Sequence, residues 1–240
     1  MPLFSTFPSF GKNIPLGLWL KTDMHAHWLP GIDDGAKTTD DSLKIVQGLY
    51  NMGFRQLIAT PHIYPDLYPN TPETIQMAFN AVAPRIQEQF PDLTIGFAAE
   101  YMVDADFPAR VQQEKLLTWG NHKVLIEFSF LAEPRGVEDT IFKMGLKGYT
   151  PVLAHPERYP YYYQDLRQLN RFIDMGVELQ VNALSLKGSY GPEVKKQAEK
   201  LYKKGLFTWM GTDCHHEGHL KQLQTIKIAA KTEPLNLEVP

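Results

Sequence analysis

Apolar residues along this chain gather into short runs, and each run is followed by a longer stretch with one apolar stripe. The runs are LWLKTDMH (18–25), RQLIATPH (55–62), TIGFAAEY (94–101), KVLIEFSF (123–130), TPVLAHPE (150–157), VELQVNAL (177–184) and LFTWMGTDCH (206–215). Near-continuous apolar character suits strands buried on both faces, as in a parallel sheet. Between them, TTDDSLKIVQGLYNMGF opens on Thr and Asp caps and sets Leu43, Val46, Leu49 and Tyr50 on one helical stripe. TPETIQMAFNAVAPRIQEQF has Pro72 just inside its start, and Pro84 is expected to kink or split it. YYQDLRQLNRFIDMG, GPEVKKQAEKLYKKG and the segment after 217 complete the helices, with Gly176 and Gly205 as C-terminal caps. Seven strand-then-helix units predict an α/β fold, a closed or nearly closed (β/α)7 TIM-like barrel. An open, doubly wound sheet is the alternative. Residues 1–17 read as an N-terminal arm packed on the body or on a neighbour, and 18–240 as a single domain without an internal linker.

Composition narrows the function classes. The chain of 240 residues carries a net charge of −3, with no basic excess to form a nucleic-acid groove. Its single cysteine, Cys214, rules out an intrachain disulfide framework and fits a reducing, cytoplasmic compartment. The apolar N-terminus lacks a basic start and a cleavage pattern and is broken by Pro2, Pro8 and Pro15. No run approaches the ~18 apolar residues of a membrane span, so membrane insertion is not expected.

The polar residues that end the runs carry the chemistry. His25 and His27 close the first, His62 the second, Glu100 the third, Glu127 the fourth, His155 the fifth, and Asp213 and His215 the seventh. In α/β barrels the active site is built at these C-terminal strand ends. With Asp34, this makes nine candidate ligands, too many for one tetrahedral ion but suited to three ions sharing a bridging carboxylate. Imidazole with carboxylate favours Zn, Mn or Fe over Ca or Mg. Clustered divalent ions polarise phosphoryl groups and generate hydroxide at neutral pH, so hydrolysis of a phosphoester is the implied reaction.

The motifs DMHAH, TPH, HPER and GTDCHH resemble the polymerase and histidinol phosphatase (PHP) superfamily. More narrowly, DMHAHWLPGIDDGAKT, ATPHIYP, AAEYMVD, VLIEFSF, AHPERYPYY, LQVNALSLKGSYG and GTDCHH resemble the bacterial manganese-dependent protein tyrosine phosphatases of capsule and exopolysaccharide operons, over about residues 20–220. The resemblance implies a distorted PHP-type barrel with three ions, manganese first, iron or zinc otherwise. One ion would take His25, His27, Glu100 and Asp213. A second would take Glu100 as bridge with Glu127 and His155, and a third Asp34, His62 and His215. Arg158 would hold the substrate phosphate through its guanidinium fork. A hydroxide held on the metals would attack without a covalent phosphoenzyme. His155 and Asp213 are the catalytic positions beside Arg158, and Tyr159 and His216 are further candidate substrate contacts. The implied substrate is the phosphotyrosine-bearing tail of a polysaccharide-assembly tyrosine kinase. A homo-oligomer is left open.

Other residues read less sharply. Cys214 lacks the Arg six positions on that a thiol phosphatase loop needs, because residue 220 is Leu, so it is expected to pack in the wall. Asp33 is expected to shape its loop, and Asp23 either to orient a histidine or to face away. His122 and His219 read as surface or supporting residues, Arg135 as a surface residue or a second phosphate contact, and VKKQAEKLYKK as a solvated helical face. RYPYYY (158–163) is equally an aromatic rim or a packed loop. A PHP enzyme for a small phosphomonoester such as histidinol phosphate, and a non-catalytic metal-bound scaffold, are the competing functions.

Overall fold

The computed structural model describes residues 13–229, so residues 1–12 of the expected arm lie outside the described residues. The strands are β1 (Asn13–Pro15), β2 (Thr22–Ala26), β3 (Gln56–Ala59), β4 (His62–Ile63), β5 (Thr94–Phe97), β6 (Glu100–Met102), β7 (Lys123–Glu127), β8 (Thr150–Ala154), β9 (Glu178–Asn182), β10 (Trp209–Gly211) and β11 (Lys227–Ala229). Helices separate most of them, as the alternating pattern predicts, but none lies between β3 and β4 or between β5 and β6. Two parallel sheets result, β2-β3-β5 and β10-β9-β8-β7-β6-β4, while β1 and β11 pair antiparallel.

The expected second and third strands are each broken in two. Thr60–Pro61 separates β3 from β4, and Ala98–Ala99 separates β5 from β6. Pro61 has no N–H to donate to a ladder, and at this level the chain passes from one sheet to the other. The two sheets touch at one further seam. There Asp213 N–H donates to His25 O at 2.8 Å and His27 N–H to Cys214 O at 3.0 Å. The parallel ladder is thus divided between two sheets, and no single closed sheet forms among the described residues.

Alternation sends Ile58, Leu125, Val152 and Trp209 into a small core with Met24 and Trp119. Their neighbours Leu57, Val124, Ile126, Leu153 and Met210 face the larger core beneath the helices. Each fully buried Leu or Ile there contributes roughly 1.5–3 kcal/mol. The helix Thr39–Asn51 begins where expected. Thr38 Oγ1 accepts from Asp41 N–H and Asp41 accepts from Thr38 N–H, a capping box.

Two expectations are corrected. The front half of the first run is the helix Leu16–Leu20, with Leu16, Trp19 and Leu20 buried, so the boundary set at residue 17 falls inside a helix. A short apolar run does not by itself separate buried helix from strand. The helix Pro72–Gln89 also passes through Pro84 unsplit. Pro84 lies on the exposed face, where water can hydrate the carbonyl it leaves unpaired, while Ile75, Ala78, Val82 and Ile86 hold the other face in the core.

Candidate metal centre

The residues that converge do so because their strands end together. From Asp23 to Ala26, β2 takes three steps while β3 takes two from Leu57 to Ala59, so β2 carries one extra residue. This bulge changes the alternation. Met24 joins the inner core, and His25 and His27 still point inward one residue apart. Glycines allow the close packing behind them. A Cβ on Gly35 would lie 2.0 Å from His27 O, and one on Gly211 would lie 2.7 Å from His25 Cβ. His62 and Glu100 open β4 and β6, and Glu127 ends β7. His155 and Asp213 sit just past β8 and β10 with φ of 33° and 51°. That left-handed backbone costs a non-glycine residue roughly 1–3 kcal/mol and clusters at functional sites.

All nine candidate ligands come together around Glu100. Its Oε2 lies 3.2 Å from His25 Nε2, 3.4 Å from His27 Nε2 and 3.2 Å from His62 Nδ1, and its Oε1 lies 3.2 Å from His155 Nε2. Asp213 Oδ1 is 3.4 Å from His25 Nε2 and 3.5 Å from His27 Nε2, which are themselves 3.3 Å apart. His155 Nε2 is also 3.5 Å from Glu127 Oε1. Asp34 Oδ1 stands 3.5 Å from His62 Nε2 and 3.4 Å from His215 Nε2. Donors held ~2.1 Å from a tetrahedral ion lie ~3.4 Å apart. The spacing of these atoms therefore fits divalent metal ligands.

Supporting bonds fix which nitrogen faces inward. His25 Nδ1 donates to Gln180 Oε1 at 2.9 Å, His27 Nδ1 to Asp33 Oδ2 at 2.8 Å, and His215 Nδ1 to Asp213 O at 2.9 Å. Each leaves its Nε2 lone pair toward the cluster. Gln180 in turn donates to Asn182 Oδ1, and Asn182 Nδ2 donates to Asp213 Oδ2 at 2.6 Å, so a buried amide chain links both ends of one donor set. Neither amide was singled out from sequence, since nothing marks a buried Gln or Asn in a strand as a partner of a distant histidine. Asp33 shapes its loop as expected, accepting from Gly35 N–H, and also orients His27.

Burial opposes charge on every group here, and the neighbours decide the outcome. For Glu100, burial is outweighed by His25, His62 and His155, which hold it well below the usual carboxylate range. For Glu127, burial is reinforced by Glu100 and Asp213, and its pKa rises well above that range. His27 is raised despite burial because Asp33 and Glu100 flank it. Burial brings His155 down to about 4, keeping its ring neutral.

Arg158 lies at the wall of a cavity of about 310 Å³ lined by Asp34, His62, Glu100, Glu127, His155, Asp213 and His215, while His25 and His27 are fully buried and do not line it. Arg158 Nη1 donates to Asp213 Oδ2 at 3.1 Å, and its guanidinium carbon lies over the rings of both Phe130 (4.8 Å) and Tyr190 (4.5 Å). Phe130 and Tyr190 end or close the motifs VLIEFSF and LQVNALSLKGSYG, yet neither was singled out, because nothing in either motif shows that they meet at Arg158. His216 lines the cavity and caps the helix Glu217–Leu223, with its Nδ1 accepting from His219 N–H. His219 lines it too.

Tyr159 does not reach the cavity. It is fully buried, its hydroxyl accepts from Phe128 N–H at 3.0 Å, and its ring packs beneath Phe130 and His155. It supports the wall and does not face a substrate. Tyr161 and Tyr162 pack on one another and bond Ser129 O and Glu133, so RYPYYY is a packed loop and not a rim of this cavity. His122 and Arg135 are exposed and away from the cavity.

Asp23 faces away from the metal donors and ties β2 to the β10 end. It accepts from Thr212 N–H at 3.0 Å and from Thr212 Oγ1, and burial, partly offset by those bonds, raises its pKa to about 6. Asp23→Ala strands both buried Thr212 donors and is expected to destabilise the fold by about 2 kcal/mol. Urea unfolding measures this, and an unchanged midpoint would show the tie to be dispensable.

A parallel α/β fold whose strand ends gather imidazoles and carboxylates beside a bound arginine has the make-up of a metal-dependent hydrolase. The chain belongs to the family of capsular polysaccharide synthesis proteins CpsB/CapC, which matches residues 21–230. Tyrosine-protein phosphatase YwqE of Bacillus subtilis (strain 168) is 30% identical over 195 residues, 81% of this chain and 77% of that protein. Tyrosine-protein phosphatase CpsB of Streptococcus agalactiae is 26% identical over 200 residues, 81% of this chain and 82% of that protein. A chain from the crystal structures of YwqE from Bacillus subtilis and CpsB from Streptococcus pneumoniae, described as unique metal-dependent tyrosine phosphatases, superimposes with a TM-score of 0.77. That match has 28% identity over 84% of each chain. No helix among the described residues is long and apolar enough to cross a membrane.

Proposed function

We propose that this chain is a metal-dependent protein tyrosine phosphatase that hydrolyses phosphotyrosine on a tyrosine kinase of polysaccharide assembly in the cytoplasm. The observation that carries this reading is the set of donors spaced as metal ligands around Glu100, with Arg158 on the same cavity wall. His25, His27, Glu100 and Asp213 would hold one ion. Glu100, Glu127 and His155 would hold a second, and Asp34, His62 and His215 a third, with manganese first among the candidates. When bound, such ions supply Lewis acidity toward a phosphoryl oxygen and lower the pKa of water.

The chain's own residues do the rest. Arg158 offers planar N–H groups to two phosphate oxygens and is held in register by Asp213 and two aromatic faces. Gln180 and Asn182 fix the His25 and Asp213 side chains. Phe130, 40% exposed at the cavity edge, gives an apolar face for a tyrosyl ring. The two sheets would act together as the wall of one distorted seven-stranded barrel, a single catalytic domain that includes the helix Leu16–Leu20.

The test is phosphate release from a phosphotyrosyl peptide and from histidinol phosphate, with added manganese and with a chelator. Preference for the peptide, lost on chelation, is expected. Preference for histidinol phosphate would move the chain to small-molecule hydrolysis. Cys214→Ala is expected to leave turnover within about twofold, because burial pushes this thiol well above its ordinary range and leaves little thiolate to attack. Loss of activity in that variant, with the fold intact by circular dichroism, would revive a thiolate mechanism.

A further inference from the structure

Two segments that line the metal cavity run on within a few residues to a second groove. Pro160 follows Arg158 by two residues, and Glu193 follows Tyr190 by three; both line a separate cavity of about 920 Å³. The distance along either segment is at most ~11 Å of chain. A further cavity of about 420 Å³ shares Asp165 and Lys200 with it, so the two form one channel along the helix Pro192–Lys204.

Charge in this channel is sorted. Lys196, Lys200 and Lys204 are four residues apart on one helix face and all line it. Two acids, Glu193 and Asp165, oppose the three lysines and Arg167, and Asp165 is paired with Arg167 at 2.6 Å and faces Lys200, so the channel keeps an excess of positive charge. A basic strip on a chain of net charge −3 is a local reversal. Its floor is built, because buried Gln197 donates to Tyr162 O at 3.0 Å and Lys200 to Tyr163 O at 3.2 Å, tying the tyrosine loop to the helix. The rings of Tyr161 and Tyr163 supply flat walls.

We propose that this channel binds an acidic segment of the same polypeptide whose phosphotyrosine enters the metal cavity. This rests on the phosphatase reading. The lysines span ~12 Å of helix, about four residues of extended peptide at ~3.3 Å each, after about three residues of approach. Acidic residues three to seven positions from the phosphotyrosine therefore meet the strip.

The experiment compares wild type with the double variant Lys196→Glu/Lys204→Glu, two exposed positions whose reversal leaves the core untouched. The substrates are p-nitrophenyl phosphate, phosphotyrosyl peptides with glutamates three to seven positions away on either side, and the same peptides with glutamines. Wild type is expected to show about a tenfold lower KM for one glutamate peptide than for its glutamine twin, with kcat unchanged. Added salt and the double variant are both expected to abolish that preference while p-nitrophenyl phosphate turnover stays constant. Equal KM values in wild type, or a preference that survives charge reversal, would overturn the channel's role alone. No turnover of p-nitrophenyl phosphate or any peptide with manganese would overturn the phosphatase reading and the channel together.

Discussion

Glu100→Gln is expected to reduce turnover of a phosphotyrosyl peptide by at least about 100-fold, beyond the 10- to 100-fold typical of changes outside a metal's own ligands. Among the described residues, Glu100 is the one carboxylate within 3.4 Å of four imidazoles: His25 on β2, His27 just past it, His62 at β4 and His155 after β8. Its two oxygens face different groups: Oε2 toward His25, His27 and His62, and Oε1 toward His155. An amide keeps the shape but offers one acceptor oxygen, and its NH2 would meet lone pairs on the other side. Two donor sets are therefore damaged by one substitution, and metal content should fall along with rate. Metal analysis of the purified variant, beside kcat and a circular dichroism spectrum, checks this. A variant with full metal content and wild-type kcat would remove Glu100 from the centre of the site.

This convergence was legible because it depends on a local rule repeated along the chain. An apolar run that ends on His, Glu or Asp delivers that side chain to one end of a parallel sheet, wherever the run lies in sequence. The rule held for His25, His62, Glu100, Glu127, His155 and Asp213 even though the strands differ in detail. What stayed hidden depends on long-range packing. The bulge in β2 appears only when β3 is beside it. The breaks before β4 and β6 follow from how two sheets share the same strands. Tyr159 read as a substrate contact in an aromatic rim, yet its hydroxyl finds Phe128 N–H and its ring fills the wall. Phe130 and Tyr190, which meet at Arg158, come from segments 60 residues apart with no motif to join them. The antiparallel β1–β11 pair likewise joins opposite ends of the described chain, beyond the reach of any local pattern.

Arg158→Lys is expected to lower kcat/KM for the phosphotyrosyl peptide by about 100-fold, about 2.7 kcal/mol of transition-state stabilisation, while leaving metal content unchanged. The site is built for a plane. The guanidinium carbon lies over two rings, 4.8 Å and 4.5 Å away, with one edge spent on Asp213 Oδ2 and the side chain still 25% exposed. The remaining N–H groups share the guanidinium plane, where they can meet two phosphate oxygens together. Lysine keeps the charge but is a point donor that cannot lie over both rings as a plane does. It can bond Asp213 or a phosphate, and not both in the arginine's geometry. Asp213 Oδ2 also accepts from Asn182 at 2.6 Å, so its position does not rest on Arg158 alone and the His25 and His27 donor set should survive. Rate and metal content therefore separate the two variants: Glu100→Gln loses both, Arg158→Lys loses rate only. Wild-type kcat/KM in Arg158→Lys would show that charge alone suffices at this wall, and metal loss there would mean that the arginine holds Asp213 and not the phosphate.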